Sequence, residues 1–241
     1  MTYCVGLKLD AGLVLLSDTR TNAGLDNISC YRKMFFFENP GERIITIMTA
    51  GSLSVTQTTI ARLEEAIEDE LADETTSILK APTMLRVATI IGDTLSRTRR
   101  EIAEQCRDLK QQASASMIVA GQRQGGDMRM FLIYPEGNFI EATEDTPFLQ
   151  IGEHKYGKPI LDRVVTPQTD LQDAQKAVLL SMDSTLRSNL SVGMPLDLAV
   201  IARDHCGITL RRRIEDGDAD FMQMSAAWSN ALRDSFSKVT I

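Results

Sequence analysis

At 241 residues, with 43% apolar and 24% charged side chains, the chain has the balance of an ordinary globular protein with enough length to bury a substantial core. A formal net charge of -7 argues against general nucleic-acid binding, and the two dense basic runs, Arg97-Thr98-Arg99-Arg100 and Arg211-Arg212-Arg213, are bordered by acidic residues and read as solvated faces or subunit contacts. No apolar run approaches a membrane span, no leader-like segment opens the chain, and Cys4, Cys30, Cys106 and Cys206 form no CxxC pair, so the expected compartment is the cytoplasm, with no zinc ribbon and no redox motif.

The predicted elements begin at the terminus. Tyr3, Val5, Leu7 and Leu9 are apolar, with mostly small or polar residues between them, which predicts a strand over 3–9. Asp10-Ala11-Gly12 suits a tight hairpin turn, and Leu13 to Asp18 forms the returning strand. After a loop rich in Thr, Asn and Gly, further strands are predicted at 33–37 and 43–48, giving an antiparallel sheet within the first fifty residues. Ile60, Leu63, Ile67 and Leu71 recur at helical spacing, and a second, longer helix starts after Pro82 with Met84, Ala88, Ile91, Leu95 and Ile102 on one face.

A second sheet is predicted to begin at 117–121 and to turn through Gly125-Gly126-Asp127 into 130–134. Helices at roughly 170–187 and 218–236 enclose a hairpin of strands at 197–203 and 207–213. No Pro- or Ser-rich linker divides this order, so residues 1–241 read as a single domain. The expected fold class is α+β, a four-layer αββα sandwich of two antiparallel sheets between helical layers.

The candidate chemistry also starts at the terminus. Removal of Met1 leaves Thr2 with a hydroxyl nucleophile and an α-amine that titrates at about 8, so one residue holds nucleophile and base together. Antiparallel return brings Asp18, at the end of the second strand, toward Thr2, and Lys33 opens a later strand. An Asp18–Lys33 ion pair beside the hydroxyl favours its alkoxide-like state. Thr49-Ala50-Gly51-Ser52 runs from a strand into a helix, with Ser52 a plausible N-cap, and backbone N–H groups at such a junction can receive a developing oxyanion. The only histidines, His154 and His205, fall in loops, no GxSxG accompanies them, and no cofactor or metal is expected.

Thr2, the run Ser17-Asp18-Thr19-Arg20-Thr21, Lys33, and Thr49-Ala50-Gly51-Ser52 entering a helix together resemble the proteasome β-subunit family of N-terminal nucleophile hydrolases. That resemblance implies Thr2 as nucleophile, Asp18 and Lys33 as its tuning pair, and the Gly51 amide as an oxyanion donor. It implies that the backbone of Thr21, Asn22 and Ala23, with Gly51 to Leu53, holds an extended peptide as an added strand, and that Thr49 and Thr21 border the pocket before the scissile bond. The family's Gly-Ser-Gly turn is replaced here by Ile151-Gly152-Glu153-His154. The family's later Asp and Ser carry over to Asp183 and, among the serines near it, Ser188. The activity implied is a threonine-type peptidase or amidase working through an acyl-enzyme on Thr2, in a chain that assembles with copies of itself into a ring or spiral. The substrate is a peptide or a small amide, and nucleic acid and membrane are not expected partners. The alternative is a noncatalytic assembly scaffold of the same fold.

Overall fold

The computed structural model describes residues 2–22, 28–105 and 113–240. Along β1 (Tyr3–Leu9) the large apolar side chains and the small ones face opposite ways from the pleat, yet both rows are buried. The reason lies in the layers on either side. Tyr3, Val5 and Leu7 pack against Ala174, Val178 and Met182 of α4 (Leu171–Ser188) and Phe221 of α5 (Ala219–Lys238). Cys4, with Leu13 and Leu15 of β2 (Gly12–Asp18), faces Met34, Ile44, Met48, Ile118 and Met130 of the opposing sheet.

The chain then runs through a short ribbon, β3 (Arg20–Asn22) and β4 (Ile28–Cys30), into β5 (Met34–Asn39), β6 (Arg43–Gly51), α1 (Leu53–Glu68), α2 (Met84–Gln105) and β7 (Ala115–Arg123). There follow β8 (Arg129–Ile133), β9 (Phe139–Glu141), β10 (Phe148–Gly152), α3 (Lys158–Val164), α4, β11 (Leu196–Ala202), β12 (Leu210–Ile214) and α5. One sheet has the order β10-β1-β2-β11-β12 and the other β5-β6-β7-β8-β9. Every neighbouring pair in the two sheets is antiparallel. The outer face of the second sheet, with Ile45, Ile47, Val119 and Phe131, is covered by Leu63 of α1 and by Val87, Ile91 and Leu95 of α2. The αββα order of layers expected from the sequence is therefore present.

The distribution of strands between the sheets differs from expectation. β1 and β2 do not share a sheet with β5 and β6; the two hairpins face each other across the sandwich, and β7 joins β6 instead of opening a new sheet. Each inward face thus finds apolar cover, which a single early sheet would lack. Five short elements, β3, β4, β9, β10 and α3, have no predicted range, and β12 starts three residues later than the predicted strand. Leu71 lies beyond the end of α1 and is 93% exposed. Ser52 occupies the N-cap of α1 without a side-chain capping bond; its Oγ lies 3.0 Å from that of Ser54.

Candidate active site

Thr2 directly precedes β1 and is 7% exposed. Its carbonyl accepts a hydrogen bond from the Glu153 N–H at 2.7 Å, and Tyr3 stands opposite Gly152 in the β1–β10 register. Gly152 has φ of +82°, and a Cβ at that position would lie 1.9 Å from the Thr2 carbonyl oxygen. Only glycine lets β10 close on the start of β1 so tightly.

On the other flank, β2 ends at Asp18, which is fully buried. Its Oδ1 accepts hydrogen bonds from the Tyr3 N–H at 3.1 Å and from Lys33 Nζ at 2.8 Å, and its Oδ2 accepts one from the Gly193 N–H at 3.3 Å. Lys33 Nζ also donates to the Arg20 carbonyl at 2.6 Å. The lysine sits one residue before β5, and its own carbonyl accepts from the Thr49 N–H at 2.9 Å, which fixes it against β6. Both sheets therefore contribute to a charge pair one residue from Thr2.

Burial pushes the Asp18 carboxyl above its ordinary value, and the Lys33 ammonium and two backbone N–H groups act in the opposite direction. The Cys4 thiol, enclosed with its Sγ 3.7 Å from the Thr49 carbonyl, is raised by burial and by the Asp18 charge, so it stays protonated and is a poor nucleophile. Burial raises the Tyr3 phenol to about 12, against hydrogen bonds from Ser181 and Gln150.

Gly51 ends β6 with φ of +112°, and a Cβ there would meet the Ser114 carbonyl oxygen at 2.3 Å. A cavity of about 420 Å³ opens between Gly51 and Ser116 of one sheet and Gln150, Gly152 and His154 of the other side. Gly51 and the glycine that abuts Thr2 thus line one chamber.

Of the residues predicted from sequence, Asp18, Lys33 and Thr49 come together beside Thr2, with Gly51 across the cavity. Thr21 is half-buried in β3 opposite Ser29, Asn22 closes that strand opposite Ile28, and Leu53 opens α1. Met1 and Ala23 lie outside the described residues. Asp183 and Ser188 do not join this cluster. Ser181 reaches the Tyr3 hydroxyl at 2.6 Å, and two residues further along a helix the side chain points the opposite way, toward α5. Asp183 accordingly accepts from Ser225 Oγ at 2.7 Å and Arg187 Nε at 3.1 Å, while Ser188 is exposed at the last position of α4.

The segment after α4 reaches the site instead. Besides the Gly193 contact, the Pro195 carbonyl accepts from Thr19 Oγ1 at 2.7 Å and the Leu190 carbonyl from Arg20 at 3.1 Å. No local pattern marks a backbone N–H aimed at a carboxylate 175 positions earlier in the chain.

This fold and this cluster define a proteasome-type subunit: residues 2–201 match the family described as Proteasome subunit, and the chain belongs to that family. Within it, the chain is similar to solved Anbu structures. It is 48% identical to the Anbu (Gly-1) mutant from Hyphomicrobium sp. strain MC1, with a TM-score of 0.93 and coverage of 100% of this chain and 99% of that one. Anbu (ancestral beta-subunit) from Yersinia bercovieri is 40% identical, with a TM-score of 0.92 and coverage of 99% and 98%. The helical assembly of the Anbu complex from Pseudomonas aeruginosa is 44% identical at a TM-score of 0.91, covering 99% of this chain and 97% of that one. Among curated proteins there is no match.

Proposed function

We propose that the chain is an N-terminal threonine hydrolase that cleaves peptide or amide bonds through an acyl-enzyme on Thr2 once Met1 has been removed. The observation that carries this reading is the buried Asp18–Lys33 pair at 2.8 Å, whose carboxylate also holds the N–H of the residue following Thr2. The α-amine of Thr2 accepts the hydroxyl proton, Lys33 favours the alkoxide-like state, and the Gly51 N–H receives the oxyanion. The acyl side of the substrate lies as an added strand along Thr21, Asn22 and Ala23 and against Gly51 to Leu53, with Thr49 and Thr21 beside its pocket. Water then releases the acyl group.

The subunit assembles with copies of itself into a ring or spiral. Family membership supports this, as does the helical assembly formed by the Pseudomonas aeruginosa Anbu complex. The free thiols of Cys4, Cys30 and Cys206 fit a reducing, cytoplasmic compartment, and among the described residues no helix is long and apolar enough to cross a membrane.

Intact-mass measurement of the purified chain tests whether Thr2 is freed, and Thr2→Ala tests the nucleophile. Turnover is expected to vanish in Thr2→Ala while the far-UV spectrum is unchanged. Equal turnover by Thr2→Ala, or Met1 retained on an active chain, removes the mechanism; a chain that keeps Met1 and shows no turnover leaves the noncatalytic scaffold.

A further inference from the structure

The peptide unit that joins Thr2 to Tyr3 is held from both ends. Its N–H donates to Asp18 Oδ1 at 3.1 Å, and its carbonyl, that of Thr2, accepts from the Glu153 N–H at 2.7 Å. Together these two bonds set how Thr2 is presented to the Asp18–Lys33 pair, because the amine and the side chain of Thr2 hang from the same Cα as that carbonyl. The Asp18 end is fixed by full burial and by the bond to Lys33. The Glu153 end lies in the turn 153–157 between β10 and α3, of which only Gly157 is buried. A largely exposed turn needs an anchor if it is to hold a donor in place.

The side chain of Tyr3 supplies that anchor. Tyr3, Val5 and Leu7 enter the apolar layer beneath α4, and Tyr3 alone of the three brings a polar atom into it. The residue is fully buried, so its hydroxyl must find partners inside the protein. It has two, from different elements. Gln150 Nε2 of β10 donates to it at 2.5 Å, and it shares a hydrogen bond of 2.6 Å with Ser181 Oγ of α4, itself fully buried. The same Gln150 nitrogen lies 3.4 Å from the His154 carbonyl, which can only accept, so the amide presents its N–H groups to both. That carbonyl also accepts from the N–H of Lys158, the first residue of α3, at 3.0 Å. Gly157 closes the turn onto the two hydroxyls: a Cβ there would lie 2.1 Å from Ser181 Oγ and 2.7 Å from the Tyr3 oxygen. The turn thus meets the start of β1 twice, at the Thr2 carbonyl and at the Tyr3 hydroxyl. Burial pushes the phenol up to about 12, so the network keeps its proton near neutral pH.

From this we infer that the Tyr3 hydroxyl is a positioning group for the nucleophile. By tying Gln150, Ser181 and Gly157 together one residue from Thr2, it fixes the turn 153–157 and so keeps the Glu153 N–H on the Thr2 carbonyl. This rests on the hydrolase reading above. Being fully enclosed, the hydroxyl touches no substrate, and its effect reaches Thr2 through Glu153. Without it, Gln150 and Ser181 lose their shared partner, the turn is free to shift on β1, and the Thr2 carbonyl loses its fixed donor. A nucleophile out of place slows the bond-forming step, whereas ground-state binding on the opposite, β2 flank is left as it was.

The test uses the full assembled chain with Thr2 freed and a threonine-directed electrophile, whose labelling of Thr2 is followed over a range of concentrations to separate the half-saturating concentration from the limiting first-order rate. In Tyr3→Phe the limiting rate is expected to fall about tenfold at an unchanged half-saturating concentration, less than the roughly hundredfold that a displacement of about 1 Å costs. Ser181→Ala is expected to slow it severalfold, and the double variant to be no slower than Tyr3→Phe alone, because the two hydroxyls act through one shared bond. An unchanged limiting rate in a folded, assembled Tyr3→Phe chain overturns the inference however far its melting temperature falls, since a hydroxyl that only stabilises the fold moves the melting and not the rate. A loss confined to the half-saturating concentration overturns it too, as does a strictly additive double variant. Where Tyr3→Phe does not fold, Ser181→Ala decides by the same two quantities. If the unsubstituted chain with Thr2 freed takes no label and cleaves no peptide, the hydrolase reading itself falls, and this inference with it.

Discussion

Asp18 is fully enclosed, and its carboxyl sits above the ordinary aspartate range because burial outweighs the Lys33 charge and the two backbone donors. Protonation removes the negative charge that holds Lys33 and orients the first peptide of β1. Activity is therefore expected to fall as pH drops through this raised value, giving kcat/KM an acid limb above the ordinary aspartate range. Stability moves the other way. A carboxyl whose folded pKa is raised takes up its proton before the unfolded chain does, so its contribution is fully present below the unfolded value and is lost as pH rises through the folded one. Urea unfolding at several pH values, compared with Asp18→Asn, checks the sign: the variant should lose both the acid limb and this pH dependence of stability.

Gly152 makes a second prediction at this scale, since a Cβ there meets the Thr2 carbonyl at 1.9 Å. Gly152→Ala must push β10 off the start of β1, and a displacement of about 1 Å at a reacting group costs on the order of a hundredfold. Labelling of Thr2 by an electrophile should slow by about that factor in a chain whose far-UV spectrum is retained. Asp18, Lys33 and Gly51 were legible in the sequence because each lies at or beside a strand end, where alternation and turn residues fix the position. Asp183 and Ser188 miss the site because α4, a helix the sequence itself predicts, turns the Asp183 side chain toward Ser225 of α5 and leaves Ser188 exposed at its last position. Gly193, which does reach Asp18, offers only a backbone N–H and so carries no residue-type signal.

The long elements were legible because periodicity accumulates with length: α2, α4 and α5 each span about five turns or more, and the apolar faces of α2 and α4 are the ones buried, while α5 buries only Phe221 and Ser225 of its face. β10 is only five residues, Phe148–Gly152, with a polar Gln150 at its centre, and what makes it a strand is its pairing with β1 across the fold. Tertiary pairing of that kind leaves little trace in a local pattern. Asp183, although absent from the site, has a definite role between elements: it is buried on α4 and ties to Ser225 of α5 at 2.7 Å, with Arg187 bonded to both. Ser225→Ala removes one donor from a buried carboxylate and should destabilise the fold by about 1–3 kcal/mol. The denaturation midpoint should fall while the rate of Thr2 labelling stays unchanged; a slowed labelling rate would instead place the α4–α5 contact in the catalytic machinery.

At the scale of the whole molecule, the balance of charge that argued against nucleic acid also leaves an apolar stripe to account for. On α5, Phe221 and Ser225 are buried against the body of the subunit, and the same face continues through Trp228 to Leu232, Phe236 and Val239. Phe236 is 83% exposed and Leu232 is 50% exposed, in a helix whose residues 230–238 are exposed throughout. A lone apolar side chain on a surface is ordinary, but a stripe that carries on from the core at helical spacing has the pattern of a helix that packs on something. A second copy of the chain is the partner consistent with the proposed ring or spiral. Phe236→Glu removes roughly 2 kcal/mol of apolar burial per contact, which corresponds to about a thirtyfold weaker subunit association. Sedimentation velocity across a range of protein concentrations should show the assembly of Phe236→Glu dissociating where the unsubstituted chain stays intact, with the melting of the separated subunit little changed, because this half of α5 contributes little to its own subunit's core. Identical mass distributions for the two proteins at every concentration would exclude α5 as the contact and move the search to the α1–α2 layer.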